Sequence, residues 1–147
     1  MFFGRYRKEK IISKAFEQIE DKAYNPRLRD DDISQLNDVE KTIFIAYTFD
    51  MEIMNGGLSQ FFVNSSAQYA PYISDVFEKI GAVENKLLFE GFVKENNIDL
   101  NDLSIFNLES ISDYSYRVCK LFDYDKFDDN YSDITNLLAK YIVKKYK

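Results

Sequence analysis

Histidine is absent from all 147 residues, and tryptophan with it; cysteine occurs once, proline twice and glycine five times. Each shortage closes a class of function. Histidine is the commonest general acid–base group and the commonest metal ligand, so catalytic triads that use it are excluded. With a single cysteine as well, zinc sites built from His and Cys are excluded too. That cysteine, Cys119, rules out an internal disulfide framework and falls in an apolar helical stripe, where it reads as a buried thiol. Five glycines form neither a phosphate-cradling loop nor a dinucleotide fingerprint. No run approaches the ~20 apolar residues of a membrane span. Residues 1–10 are basic but lack the apolar run of about seven or more residues that a signal peptide needs. The expectation is a cytoplasmic, non-membrane protein with no cofactor and no metal.

What the chain has is aromatic mass and acid. It carries 13 Phe and 11 Tyr, and a formal charge of −6. The charge is uneven: residues 1–14 hold five bases and one acid, and residues 140–147 hold four bases. Residues 15–139 hold 24 acids against 10 bases, a net of −14. An acidic body disfavours direct nucleic-acid binding and suits a basic partner protein.

Helical periodicity runs through almost the whole chain. Ile11, Ile12, Ala15, Phe16, Ile19 and Ala23 share one face of a first helix, stopped by Asn25-Pro26. A polar loop with Asp30, Asp31 and Asp32 follows. A second helix starts near Asn37, with Glu40 placed for a capping box. Val39, Ile43, Ala46, Tyr47, Asp50 and Met54 share its face, widened by Phe44 and Met51. It ends at Asn55-Gly56-Gly57, where glycine takes the left-handed conformation. Residues 58–63 read as a short helical turn broken by Asn64-Ser65-Ser66. Pro71 suits the first turn of the next helix, which carries Ile73, Val76, Phe77 and Ile80 and ends at Gly81. Val83, Leu87, Leu88, Gly91 and Phe92 mark another, closed by Asn96-Asn97. Ile111, Tyr114, Ser115, Val118, Cys119 and Phe122 repeat at helical spacing, and a last helix carries Tyr131, Ile134, Leu137, Leu138, Tyr141 and Ile142. The predicted fold is all-α, an irregular orthogonal assembly of about six or seven short helices forming one domain over residues 1–147.

Two constellations invite chemistry. Asp123, Asp125, Asp128, Asp129 and Asp133 suggest a calcium loop, but Phe127, Asp128 and Ile134 fall where such a loop needs a ligand, a glycine and a bidentate Glu. The segment therefore reads as a solvated loop whose Asp residues cap the last helix. The second is Glu52-Ile53-Met54-Asn55-Gly56-Gly57-Leu58-Ser59-Gln60-Phe61-Phe62-Val63-Asn64-Ser65-Ser66. Gln60 and Asn64 lie four apart on one helix face. Their amides either satisfy backbone groups at the glycine corner or face a ligand pocket beside it.

This segment resembles a bacterial domain family of largely unknown function, typified by the C-terminal domain of a DNA-mimic protein. The family pattern Glu-x-x-Asn-Gly-Gly-x-x-Gln-Phe-Phe-x-Asn-Ser is matched by Glu52, Asn55, Gly56, Gly57, Gln60, Phe61, Phe62, Asn64 and Ser65. The similarity continues through Ile80-Gly81-Ala82 to the last helix and spans roughly residues 33–145. It implies an all-α fold, with a homodimer as one option. It also implies mimicry, in which acidic side chains stand in for phosphates; acids one helical turn apart lie about 5–6 Å from each other. Asp30, Asp31, Asp32, Asp38, Glu40, Asp123, Asp125, Asp128, Asp129 and Asp133 are the candidate surface. The leading expectation is a non-enzymatic acidic module that binds a basic protein, as a DNA mimic or a toxin neutraliser. The alternatives are a small-ligand sensor at the Asn-Gly-Gly corner and a carboxylate-dependent hydrolase. The hydrolase requires a concave site with two close carboxylates of raised pKa.

Overall fold

No proline or glycine interrupts the first helix, α1 (Arg5–Ala23), and Ile12, Ala15, Ile19 and Ala23 return to one buried face. The computed structural model describes residues 4–110 and 122–146. α1 stops where the sequence says it should. Tyr24–Asn25 (β1) turns into extended backbone and pairs antiparallel with Asp30–Asp31 (β2), Tyr24 opposite Asp31. The expected polar loop is thus a tight hairpin, closed by the Leu28 N–H donating to the Asn25 carbonyl at 3.1 Å. Asp32 then caps a single 3-10 turn, Ile33–Gln35.

α2 (Asp38–Val63) begins with the expected capping box. The Asn37 side chain accepts the Glu40 N–H at 2.8 Å, and Glu40 Oε1 accepts the Asn37 N–H at 2.9 Å. Ile43, Phe44, Ile45 and Ala46 are consecutive and all buried, which marks that turn of α2 as enclosed on every side. Phe49 is its hub, with Phe61, Phe77, Phe89 and Phe127 packed edge-on at 4.7–6.2 Å between centroids. The abundant phenylalanine therefore fills the centre of the fold. Met51 and Met54, expected on the buried stripe, are exposed at the mouth of a groove between α1 and α2.

Gly57 breaks α2 in two, at φ 80 and ψ −175. This is the extended positive-φ region that only glycine enters freely, instead of the expected left-handed closure. The helix stops and restarts in a new direction. A 3-10 segment, Ser65–Tyr72, follows and holds Pro71, so α3 (Ile73–Ile80) starts two residues later than the proline suggested. Gly81, at φ 84 and ψ 15, closes α3 in the left-handed conformation.

α4 (Val83–Glu95) buries only part of the face expected of it: Phe92 is buried and Leu88 packs against the core. Val83 and Leu87 are exposed, while Asn85 and Phe89 are buried. Asn85 tolerates burial because its amide donates to the Ser132 carbonyl at 2.8 Å and accepts the Ser132 N–H at 2.9 Å. A 3-10 segment, Ser104–Ser110, then seats Phe106 against Phe62 at 4.2 Å, nearly parallel. The helical spacing expected from Ile111 to Cys119 lies outside the described residues.

The stretch read as a solvated acidic loop contains a helix, α5 (Asp125–Asn130), held by buried Phe127. Tyr124, Phe127 and Tyr131 carried that signal at helical spacing. The last helix, α6, spans Thr135–Lys145 and excludes Tyr131, which is extended at φ −64 and ψ 130. A tertiary bond overrides the helical spacing there: the Tyr131 phenol donates to Asp50 Oδ1 at 2.7 Å. α6 packs along α1, and α2 is the central one of the six α-helices of the described residues, in one all-α domain.

Candidate functional site

The glycine corner is built to hold a backbone turn. Asp128, from α5, accepts the Leu58 N–H at 2.9 Å and so caps the helix that restarts after Gly57. A Cβ at Gly57 would come within 2.5 Å of Asp128 Oδ2, and one at Gly56 would collide with the Gln60 side-chain amide. The corner's backbone is satisfied by Asp128, in place of the amides of Gln60 and Asn64. Asn64 instead donates to Glu52 Oε2 at 3.0 Å, tying the end of α2 back to its middle. Asp128 and Gln60 fill the space beside the glycines. Phe61 and Phe62 are core residues, and Asn55 and Ser65 are exposed.

The candidate acids separate into distinct environments. Glu40 is 6% exposed and pairs with Lys22 at 2.8 Å; burial opposes its ionisation, but Lys22 and the Asn37 N–H lower its pKa overall. Asp38 pairs with Lys79, whose ammonium is pushed up to about 12 by Asp38 and Asp75. Asp133 pairs with Arg5 at 2.7 Å and accepts the Thr135 N–H at 2.7 Å from one residue before the N-cap of α6, Ile134, which has no side-chain cap. Burial opposes the Asp133 charge, yet those bonds hold its pKa below the usual range. Asp32 is engaged with Ser34 through Oδ1, at 3.0 Å to the N–H and 2.6 Å to the hydroxyl. Asp123, Asp125 and Asp129 are exposed around α5.

Asp30 and Asp31 differ. They line a groove of about 240 Å³ with Glu20 of α1, Glu52 of α2 and the rings of Phe16, Phe44 and Tyr69; no Lys or Arg lines it. The β1–β2 hairpin folds the two aspartates back beside α1. Partial burial raises the pKa of Glu20, reinforced by Asp31, Asp21 and Glu17. Partial burial likewise raises Asp31, reinforced by Asp30. The structure thus joins two features that were separate in the sequence, the Asp30–Asp31 pair and the motif residues Glu52 and Ser65. Glu20 and Tyr69 join them without having stood out in the sequence. Their signal was weak: a third carboxylate with Glu17 and Asp21 on α1, across a short hairpin from two more.

The sequence model of a family described as DMP19-like protein matches residues 34–145. This chain belongs to the DMP19-like family. No curated protein and no solved structure matches it significantly. In this DMP19-like protein the groove is composite. Glu52, Ser65 and Tyr69 come from the matched residues, while Glu20, Asp30 and Asp31 precede them.

A second concavity, about 550 Å³, lies between α1, α2 and α6. Asp50 sits in its wall with its pKa raised by burial, against the opposing effect of the Tyr131 hydrogen bond. The Tyr131 phenol is pushed far up by burial and by the Asp50 charge. Arg5, Tyr6, Met51 and Met54 line the same cavity. Among the described residues no helix is long and apolar enough to cross a membrane.

Proposed function

We propose that this DMP19-like protein is an acidic interaction module that binds a basic partner protein, in a DNA-mimic or toxin-neutralising role. The observation that carries the reading is the groove, which Glu20, Asp30, Asp31 and Glu52 line without a Lys or Arg. Burial and neighbouring carboxylates raise the pKa values of two of them, Glu20 and Asp31, and a cationic side chain from outside relieves that penalty. The net −14 of residues 15–139 supplies the wider field that steers such a partner. The resemblance carried by Glu52, Asn55, Gly56, Gly57, Gln60 and Asn64 adds to the reading.

The test is affinity capture from the native cell extract, eluted in a salt gradient and identified by mass spectrometry. Wild-type protein serves as one bait and the Glu20→Lys, Asp31→Lys double variant as the other. A basic protein retained by the first, released by moderate salt and lost from the second is the expected result. Equal retention by both folded baits, or retention by neither, would sink the reading.

Glu20 and Asp31 also favour a second reading, a carboxylate-dependent hydrolase, because both have raised pKa values and line one concave site. Turnover of chromogenic glycosides, esters or phosphodiesters by the wild type, abolished by Glu20→Gln, would replace the binding reading with this one.

A further inference from the structure

Four carboxylates without a cation would suit a metal ion, a small organic ligand, a lysine or an arginine. The groove's geometry separates these. Among the described residues no three carboxylates converge closely enough to hold a metal ion. The groove's volume, about 240 Å³, falls below the ~300–1,000 Å³ of small-molecule sites and is on the scale of one inserted side chain. Its lining includes three aromatic rings packed on one another: Phe16 stacks on Phe44 at 5.4 Å and 16°, and Tyr69 is edge-on to Phe44 at 5.8 Å. An apolar aromatic wall beside paired carboxylates suits the weakly hydrated, forked guanidinium better than the compact, strongly hydrated ammonium of lysine.

Tyr69 supplies an independent observation. It is 5% exposed, and none of the described residues hydrogen-bonds its phenol. Among the described residues every fully buried side-chain polar atom has a partner. The Tyr69 oxygen therefore reaches solvent; it feels the charges of Asp31 and Asp30, and all three residues line the groove. A near-buried hydroxyl left open beside carboxylates offers an acceptor to an incoming N–H donor.

We propose that the groove is an arginine-binding pocket. One arginine of the basic partner enters along Phe16 and Tyr69, and its guanidinium donates to the Glu20 and Asp31 carboxylates and to the Tyr69 oxygen. The proposal rests on the acidic-module reading and names the chemistry its partner presents.

The test is a titration of the isotope-labelled full chain at low salt, followed by amide chemical shifts. The probes are Nα-acetylarginine amide, the citrulline and lysine analogues, and calcium chloride. The expected result is a saturable shift of the Glu20, Asp31, Ser66 and Tyr69 amides with arginine, about tenfold or more tighter than with lysine and absent with citrulline. Tyr69→Phe keeps the ring and weakens arginine binding by about tenfold. Glu20→Gln with Asp31→Asn removes it. Equal binding of lysine or citrulline, saturation by calcium, or an unchanged affinity in Tyr69→Phe would overturn the pocket. If a basic protein is captured and then lost on charge reversal while arginine gives no saturable shift, the pocket fails and the interaction reading stands. If arginine saturates but neither bait retains a protein, the interaction reading fails and the pocket stands.

Discussion

The Asp128 carboxylate caps the Leu58 N–H at 2.9 Å across 70 residues of sequence, at the one point where α2 leaves helical geometry. α5 thereby fixes the direction in which the second half of α2, with Phe61 and Phe62, enters the core.

Gly57→Ala is expected to be severely destabilising, because the new Cβ meets both a positive φ and the Asp128 carboxylate. Asp128→Ala should cost about 1–2 kcal/mol through the lost cap. Asp125→Lys with Asp129→Lys should leave stability within about 0.5 kcal/mol, since both residues are exposed. Urea denaturation midpoints distinguish the three; equal midpoints for Asp128→Ala and wild type would show that the cap contributes nothing.

Glu40 makes stability depend on pH in the acid range. Its pKa is lowered in the folded chain, so its contribution is present above the unfolded value near 4.5 and is lost as pH falls through the folded value. Glu40→Gln should lower stability at neutral pH and flatten the fall below about pH 4.5. Thermal melts between pH 3 and 7 (about half-unit steps) measure this; parallel curves for the two proteins would refute it.

The groove acids have the opposite sign. Asp31 is raised in the folded chain, so ionising it as pH rises costs the folded state stability. Asp31→Asn should therefore stabilise the protein at pH 7 by about 0.5 kcal/mol, the scale of partly exposed charge interactions, while weakening partner capture. A variant destabilised at pH 7, or one binding as well as wild type, contradicts the assignment of Asp31 to a binding groove.

Phe49→Ala should cost about 3–5 kcal/mol, because Phe49 is 1% exposed and in contact with four other Phe rings. Phe49→Leu should cost markedly less. Equal losses for the two, read by denaturant titration, would place the hub elsewhere.

Local signals were legible in the sequence because their chemistry is complete within a few residues. Asn25-Pro26 ended α1, Asn37 and Glu40 formed their capping box, and Gly81 closed α3, each through backbone preference or a bond to a near neighbour. Periodicity gave the all-α class and the buried faces of α1, α3 and α6 for the same reason. Expectation failed where a distant partner changed the sign of a position. Tyr131 left the last helix for Asp50, and Asn85 was buried by Ser132 while Val83 and Leu87 stayed outside.

The site followed that division. The sequence by itself determined that the protein is helical, acidic in its body and without histidine or cysteine-pair chemistry, because composition and short-range periodicity need no third dimension. Only the tertiary structure decided which acids are spent and which are free. Lys22, Lys79, Arg5 and the Leu58 N–H engage Glu40, Asp38, Asp133 and Asp128, whereas the hairpin folds Asp30 and Asp31 back beside Glu20 and opposite Tyr69. A carboxylate's availability depends on what lies within a few ångströms of it, and that distance is set by folding.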